Sequence, residues 1–167
     1  MLFWYYILKF GGDGMKLAEA LILRADYQKR LEQIRERLIR NAKVQEGEKP
    51  SENPYDLLNE MNDLINKLTD IVQKINRTNS LAIVENGKTI TDLLAKRDSI
   101  SQKRSILESL INATTIKLDR YSKSEVKYFS TVDVAKIQKE IDTLSKEYRE
   151  IDTKIQENNW KIELKED

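Results

Sequence analysis

Three arginines stand where the pattern of a helix calls for apolar side chains. Arg97 and Arg104 lie seven residues apart on a seam made by Ile90, Leu93, Ile100, Leu107, Ile111, Thr114 and Leu118. Arg24 holds the matching place between Ala20 and Tyr27. A guanidinium drawn into such a seam needs a partner. Its planar fork matches carboxylate and phosphate oxygens, which makes an anion pocket one reading. The other, which we favour, is a set of ion pairs that fixes helix register, a common role for polar residues on an apolar seam. Asp142, Glu147 and Asp152 are the candidate carboxylates, and breaking a buried pair of this kind would cost about 3 to 5 kcal/mol.

Other chemistry is narrowed by what the 167 residues lack. With no Cys and no His, thiol nucleophiles, disulfides, thiolate metal sites and the commonest general base are all absent. No D-x-[DN]-x-[DN]-G loop offers an oxygen-only cation site. Gly11-Gly12-Asp13-Gly14 lacks the GxxxxGK[ST] frame of a phosphate loop. We therefore expect no metal, no cofactor and no enzymatic activity. Asn76-Arg77-Thr78 and Asn112-Ala113-Thr114 match the glycosylation pattern but fall inside expected helices. Trp160 is read as closing the end of a bundle rather than as an exposed recognition residue.

The elements that must position these residues follow from periodicity. A chain that is 34% charged, with five Gly and two Pro, is suited to long helices. From Met15 to about Val44, Leu17, Ala20, Tyr27, Leu31, Ile34 and Leu38 recur at helical spacing. Asn53-Pro54-Tyr55-Asp56 then supplies an N-cap, a first-turn Pro and a carboxylate for a second helix. Its seam is read as Leu58, Met61, Ile65, Leu68, Val72 and Ile75, with Leu57, Leu64 and Ile71 widening the stripe. After the apolar run Leu81 to Val84, Asn86-Gly87 marks a hairpin turn. Thr89 or Thr91 caps a third helix. Residues 124–129 read as extended, Ser130-Thr131-Val132-Asp133 as a capping box with Asp at N3, and Val134, Ile137, Ile141, Leu144, Tyr148, Ile151 and Ile155 as the seam of a fourth helix.

The fold expected is mainly α: an elongated antiparallel bundle of about four long helices, with a small β-hairpin or three-stranded sheet between helices. Two hairpins that complete their cores only in an oligomer are the competing arrangement. Residues 15–167 are read as one helical domain. The first fourteen differ in kind: they hold five of the twelve aromatic residues and three of the five glycines. Gly-Gly-Asp can be encoded as a bacterial ribosome-binding sequence one codon before Met15, so residues 1–14 are expected to be a leader and Met15 the start.

Net charge is +1, yet residues 15–43 carry +4 and residues 44–63 carry −5, an asymmetry that suggests head-to-tail attraction between copies. No reader motif accompanies the basic stretch, so nucleic acid is not an expected partner, nor is a membrane.

Several stretches carry a family likeness: Met15 to Leu21, Arg40-Asn41-Ala42 with Gln45 to Glu48, Ile75 to Asn79, Arg97-Asp98, Ser130 to Asp133, and Asp152 to Gln156 ahead of Asn159-Trp160. From Met15 onward the chain resembles the septicolysin-like bacterial proteins. The resemblance implies a helical, oligomeric bacterial protein, and the family's name implies pore formation or lysis; it brings no catalytic residues. The expectation is a cytoplasmic, non-enzymatic helical protein that homo-oligomerises and serves as an interaction or scaffold protein, with a membrane-lytic toxin as the alternative.

Overall fold

The computed structural model describes residues 14–114 and 129–166. The expected leader apart from Gly14, Leu118 on the third seam, and residues 124–128 of the expected extended stretch lie outside the described residues. The rest is mainly helical: α1 (Leu17–Arg40), α2 (Pro54–Leu81), α3 (Ile90–Thr114) and α4 (Val134–Lys161), with strands β1 (Ile83–Glu85) and β2 (Lys88–Thr89) between α2 and α3. The strands pair antiparallel, and the sheet has two strands. The chain divides into two compact units, residues 14–82 with 158–166, and the described part of 83–157.

In the first unit α1 and α2 run antiparallel. Leu17, Ala20, Ile71 and Ile75 are buried together with Leu164, and Tyr27, Leu68, Val72 and Ile162 pack against them. The start of α2 is the one its sequence signals: the Asn53 side chain accepts a hydrogen bond from the Tyr55 amide at 3.0 Å, and Pro54 opens the helix. α1 ends at Arg40, short of the expected Val44, because Asn41 turns inward. Its Nδ2 donates to the Arg37 carbonyl at 2.9 Å, and its Oδ1 accepts from Ser51 Oγ and the Glu52 amide at 2.9 and 3.0 Å. One buried amide thus ends a helix and anchors the following loop.

The seam of α2 needs correction. Leu57, Leu64, Ile71, Ile75 and Thr78 are buried, whereas Leu58 and Ile65 are 38% and 42% exposed. The residues expected to widen the stripe are its centre. A second tie comes from the end of the chain, where the Leu17 amide donates to the Ile162 carbonyl at 2.9 Å and the Leu164 amide to the Met15 carbonyl at 2.7 Å. Thr78 Oγ1 accepts from the Lys165 amide at 2.9 Å while donating to the Lys74 carbonyl. Residues 162–166 therefore lie along α1 and α2, with Leu164 inside the core.

In the second unit Asn86 and Gly87 form the hairpin turn with φ of 48° and 74°. Both central residues are left-handed, the conformation a two-residue hairpin needs and one that Gly adopts without a Cβ penalty. Thr89 caps α3: its Oγ1 accepts from the Asp92 amide at 3.3 Å, and Asp92 Oδ2 accepts from the Thr89 amide at 2.8 Å. These bonds, backbone first, hold the Asp92 carboxyl below the usual carboxylate range. At α4 the expected capping box is displaced. Asp133 is the residue before the helix, its Oδ1 accepting from the Lys136 amide at 3.0 Å, so it is the N-cap and not N3. Ile90, Leu93, Ile100, Ile141, Leu144 and Ile155 are buried.

Candidate functional site

The α3 arginines meet partners in their own unit. Arg97 Nη1 donates to Asp152 Oδ1 at 3.0 Å, and its Nε and Nη2 donate to Asp98 Oδ1 at 3.3 and 3.2 Å. Burial pulls the Arg97 pKa down, but the hydrogen bonds to Asp152 and Asp98 outweigh it and hold the value above the ordinary one. Arg104 lies with its guanidinium carbon 5.6 Å from the centre of the Tyr148 ring and pairs with Glu108 at 3.3 Å. A cation over an aromatic face gains about 0.5 to 1 kcal/mol where water still reaches it. Of the expected carboxylates, Asp152 meets Arg97, Glu147 pairs instead with Lys96 at 3.0 Å, and Asp142 accepts from Gln138. Lys103 pairs with Glu140 at 2.6 Å. From Lys96 with Glu147 and Arg97 with Asp152 to Lys103 with Glu140 the partners move back along α4 as α3 advances, which sets the two helices antiparallel.

Both α3 arginines keep substantial exposure, 24% for the Arg97 side chain and 33% for Arg104. The penalty for breaking a fully buried pair therefore does not apply, and contributions nearer those of surface pairs are in force. Chemically, all three nitrogens of the Arg97 fork are engaged by carboxylates. Arg24, half-buried on α1, differs: its Nε is buried without a hydrogen-bond partner among the described residues.

Further ion pairs join residues that no sequence pattern singles out. Arg37 donates through Nε to both oxygens of Glu52 at 3.1 Å and pairs with Glu60 at 3.2 Å. The hydrogen bond from Arg37 holds the Glu52 carboxyl below its ordinary range and raises Arg37 in return. The basic segment 15–43 and the acidic segment 44–63 thus meet inside one chain, where the sequence suggested attraction between copies. Lys154 and Glu85 also pair, at 2.6 Å. Trp160 is 58% exposed and does not close a bundle end; the inward position beside it is Asn159, which is buried.

The feature with most surface consequence lies on α2. Beside its buried seam runs an edge of Leu58, Ile65 and Val72 at seven-residue spacing, and outside that edge lie Tyr55, Asn59, Asn62, Asn66, Thr69, Gln73 and Asn76. None of these residues is charged, and all but the half-buried Val72 are exposed. From Asp56 to Lys74 the charges of the helix, Asp56, Asp63, Asp70, Lys67 and Lys74 among them, are on the other flank, where Asp70 and Lys74 pair at 3.1 Å; Arg77, just past Asn76, donates to the Glu166 carbonyl at 3.2 Å. The outer side of α1 is unlike this, with Lys29, Glu32, Arg35 and Glu36 exposed. Asn in a helix interior costs up to about 0.7 kcal/mol relative to Ala, so a face that only met water would be more stably filled by Glu or Lys. The face carries no motif residue, and its signal in the sequence is the missing charge at two positions of every heptad.

Among the described residues no helix is long and apolar enough to cross a membrane, and no group of three or more acidic residues could hold a metal ion.

Comparison with known proteins places the chain among proteins of undetermined role. The model of a family of unknown function, DUF6847, matches residues 24–164. The crystal structure of a functionally unknown conserved protein from Corynebacterium diphtheriae is 42% identical, with a TM-score of 0.85, covering 92% of this chain and 100% of that one. No curated protein matches.

Proposed function

We propose that this chain, which belongs to the family of unknown function DUF6847, is a non-enzymatic interaction or scaffold protein of the bacterial cytoplasm that associates with copies of itself. One observation carries the reading: α2 leaves Leu58 and Ile65 uncovered at helical spacing beside a completed core. Apolar residues scattered singly on a surface need no explanation, but a row of them at seven-residue spacing has the form of a seam awaiting a second helix. The two α3 arginines fit a structural role. Arg97 with Asp152, and Arg104 over Tyr148, are the polar contacts that fix the register of α3 against α4. Size-exclusion chromatography with light scattering tests the proposal. The expected mass is a multiple of the 19.6 kDa chain; a mass of one chain at every concentration up to about 100 μM, where even a weak specific interface would be populated, removes it.

A further inference from the structure

We infer that the uncharged outer face of α2 is the surface on which a second copy of the chain sits, its own α2 lying antiparallel across a two-fold axis near Ile65. The inference rests on the self-association proposed above and adds the face, the partner and the symmetry.

Three observations lead to it. First, the face from Tyr55 to Asn76 excludes charge in a chain where 34% of residues are charged, and depletion of charge is what distinguishes the centre of an interface from ordinary surface. A strongly acidic or basic partner, or a nucleic acid, would find nothing to pair with here. Second, the polar groups that remain are self-complementary. Asn and Gln amides and the Thr hydroxyl each carry both donor and acceptor, so Asn62, Asn66, Thr69 and Gln73 can hydrogen-bond to one another across an isologous contact, in which residue i meets j and j meets i. Third, the apolar edge is symmetric about its middle: Leu58 and Val72 stand seven residues either side of Ile65. Reversing one helix about Ile65 sets Leu58 against the second copy's Val72 and Ile65 against itself, and brings Asn62 within about one residue, about 1.5 Å along the axis, of Thr69. Antiparallel pairing also brings opposite ends of the two helix dipoles together, where parallel pairing would set like ends side by side.

The 167-residue chain, which has no Cys, allows a clean test with single introduced cysteines. Under mild oxidation Ile65→Cys is expected to give a disulfide-linked dimer, Tyr55→Cys alone is not, and an equimolar mixture of Tyr55→Cys with Asn76→Cys is expected to give the covalent heterodimer. Asn62→Glu combined with Asn66→Glu places like charges in apposition. Sedimentation should show the dimer weakened about 100-fold or more, with the circular dichroism spectrum of the wild type retained because both positions face away from the chain's own core. Linkage of Tyr55→Cys to itself as readily as Ile65→Cys would mean parallel pairing and overturn the antiparallel arrangement. A doubly substituted chain that keeps its wild-type dimer would overturn the face while leaving self-association standing. A monomeric wild type would remove both.

Discussion

Asn41 sits at the point where α1 stops, and its three hydrogen bonds reach the helix end, Ser51 and the Glu52 backbone at once. Replacing it with Ala strands a backbone amide and a hydroxyl in a partly buried place. Asn41→Ala should lower unfolding stability by about 1 to 3 kcal/mol, read by urea denaturation. Glu52, held in place by Asn41, carries a pH signature of its own. Its carboxyl is held below the ordinary value of 4.5 by the hydrogen bond from Arg37, with Arg37 and Arg40 as the charges that face it. A carboxylate depressed in the folded state contributes stability that is complete above its unfolded pKa and is lost as pH falls through the folded value. Arg37 stays charged throughout, so the window is set by Glu52. The stability difference between wild type and Glu52→Gln should stay level from about pH 7 to about pH 5 and shrink as the solution is made more acidic, measured as melting temperature against pH.

At the scale of elements, the docking of residues 162–166 depends on Thr78, which is fully buried and accepts the Lys165 amide. Thr78→Val preserves shape and removes the acceptor, leaving that amide unpaired. The expected loss is about 1 to 3 kcal/mol, with hydrogen exchange accelerated at Lys165 and Leu164 and unchanged at the Asn53-capped start of α2. What was legible in the sequence at this scale was whatever is decided locally. Asn53-Pro54, Asn86-Gly87 and Thr89 each act on neighbours within three residues, and each lies in the structure where its chemistry puts it. The burial of one α2 stripe over its neighbour is not local. Leu57 and Leu58, or Leu64 and Ile65, are equally apolar, and the choice is made by α1 and by Leu164, the latter far away in the chain. Trp160 misled for a related reason: size alone suggested burial, while the alternation of Ile162 and Leu164 just beyond it was the actual sign of a docked extended segment. Arg97 and Arg104 were legible as seam residues, but their remaining exposure, and hence the modest energy of their pairs, depends on how closely α3 and α4 approach.

For the molecule as a whole, the question is which force would join two copies. The sequence offers charge, +4 on residues 15–43 against −5 on residues 44–63. Arg37 with Glu52 and Glu60 shows that attraction being met within the chain. A head-to-tail assembly would have to break those pairs to form new ones across an interface, with little net gain. Association through the α2 face needs no such exchange, since what is removed from water is apolar edge and neutral amide. The two routes differ in their response to salt. Raising NaCl from about 0.05 M to about 1 M shortens the screening length to about 3 Å, which would dissociate a charge-driven assembly. An uncharged face should keep its dissociation constant within about threefold over that range, and sodium sulfate should tighten it by strengthening apolar burial. Sedimentation equilibrium across the salt series separates them: a dimer that falls apart with added NaCl points back to the charged segments, and one indifferent to NaCl but tightened by sulfate points to α2.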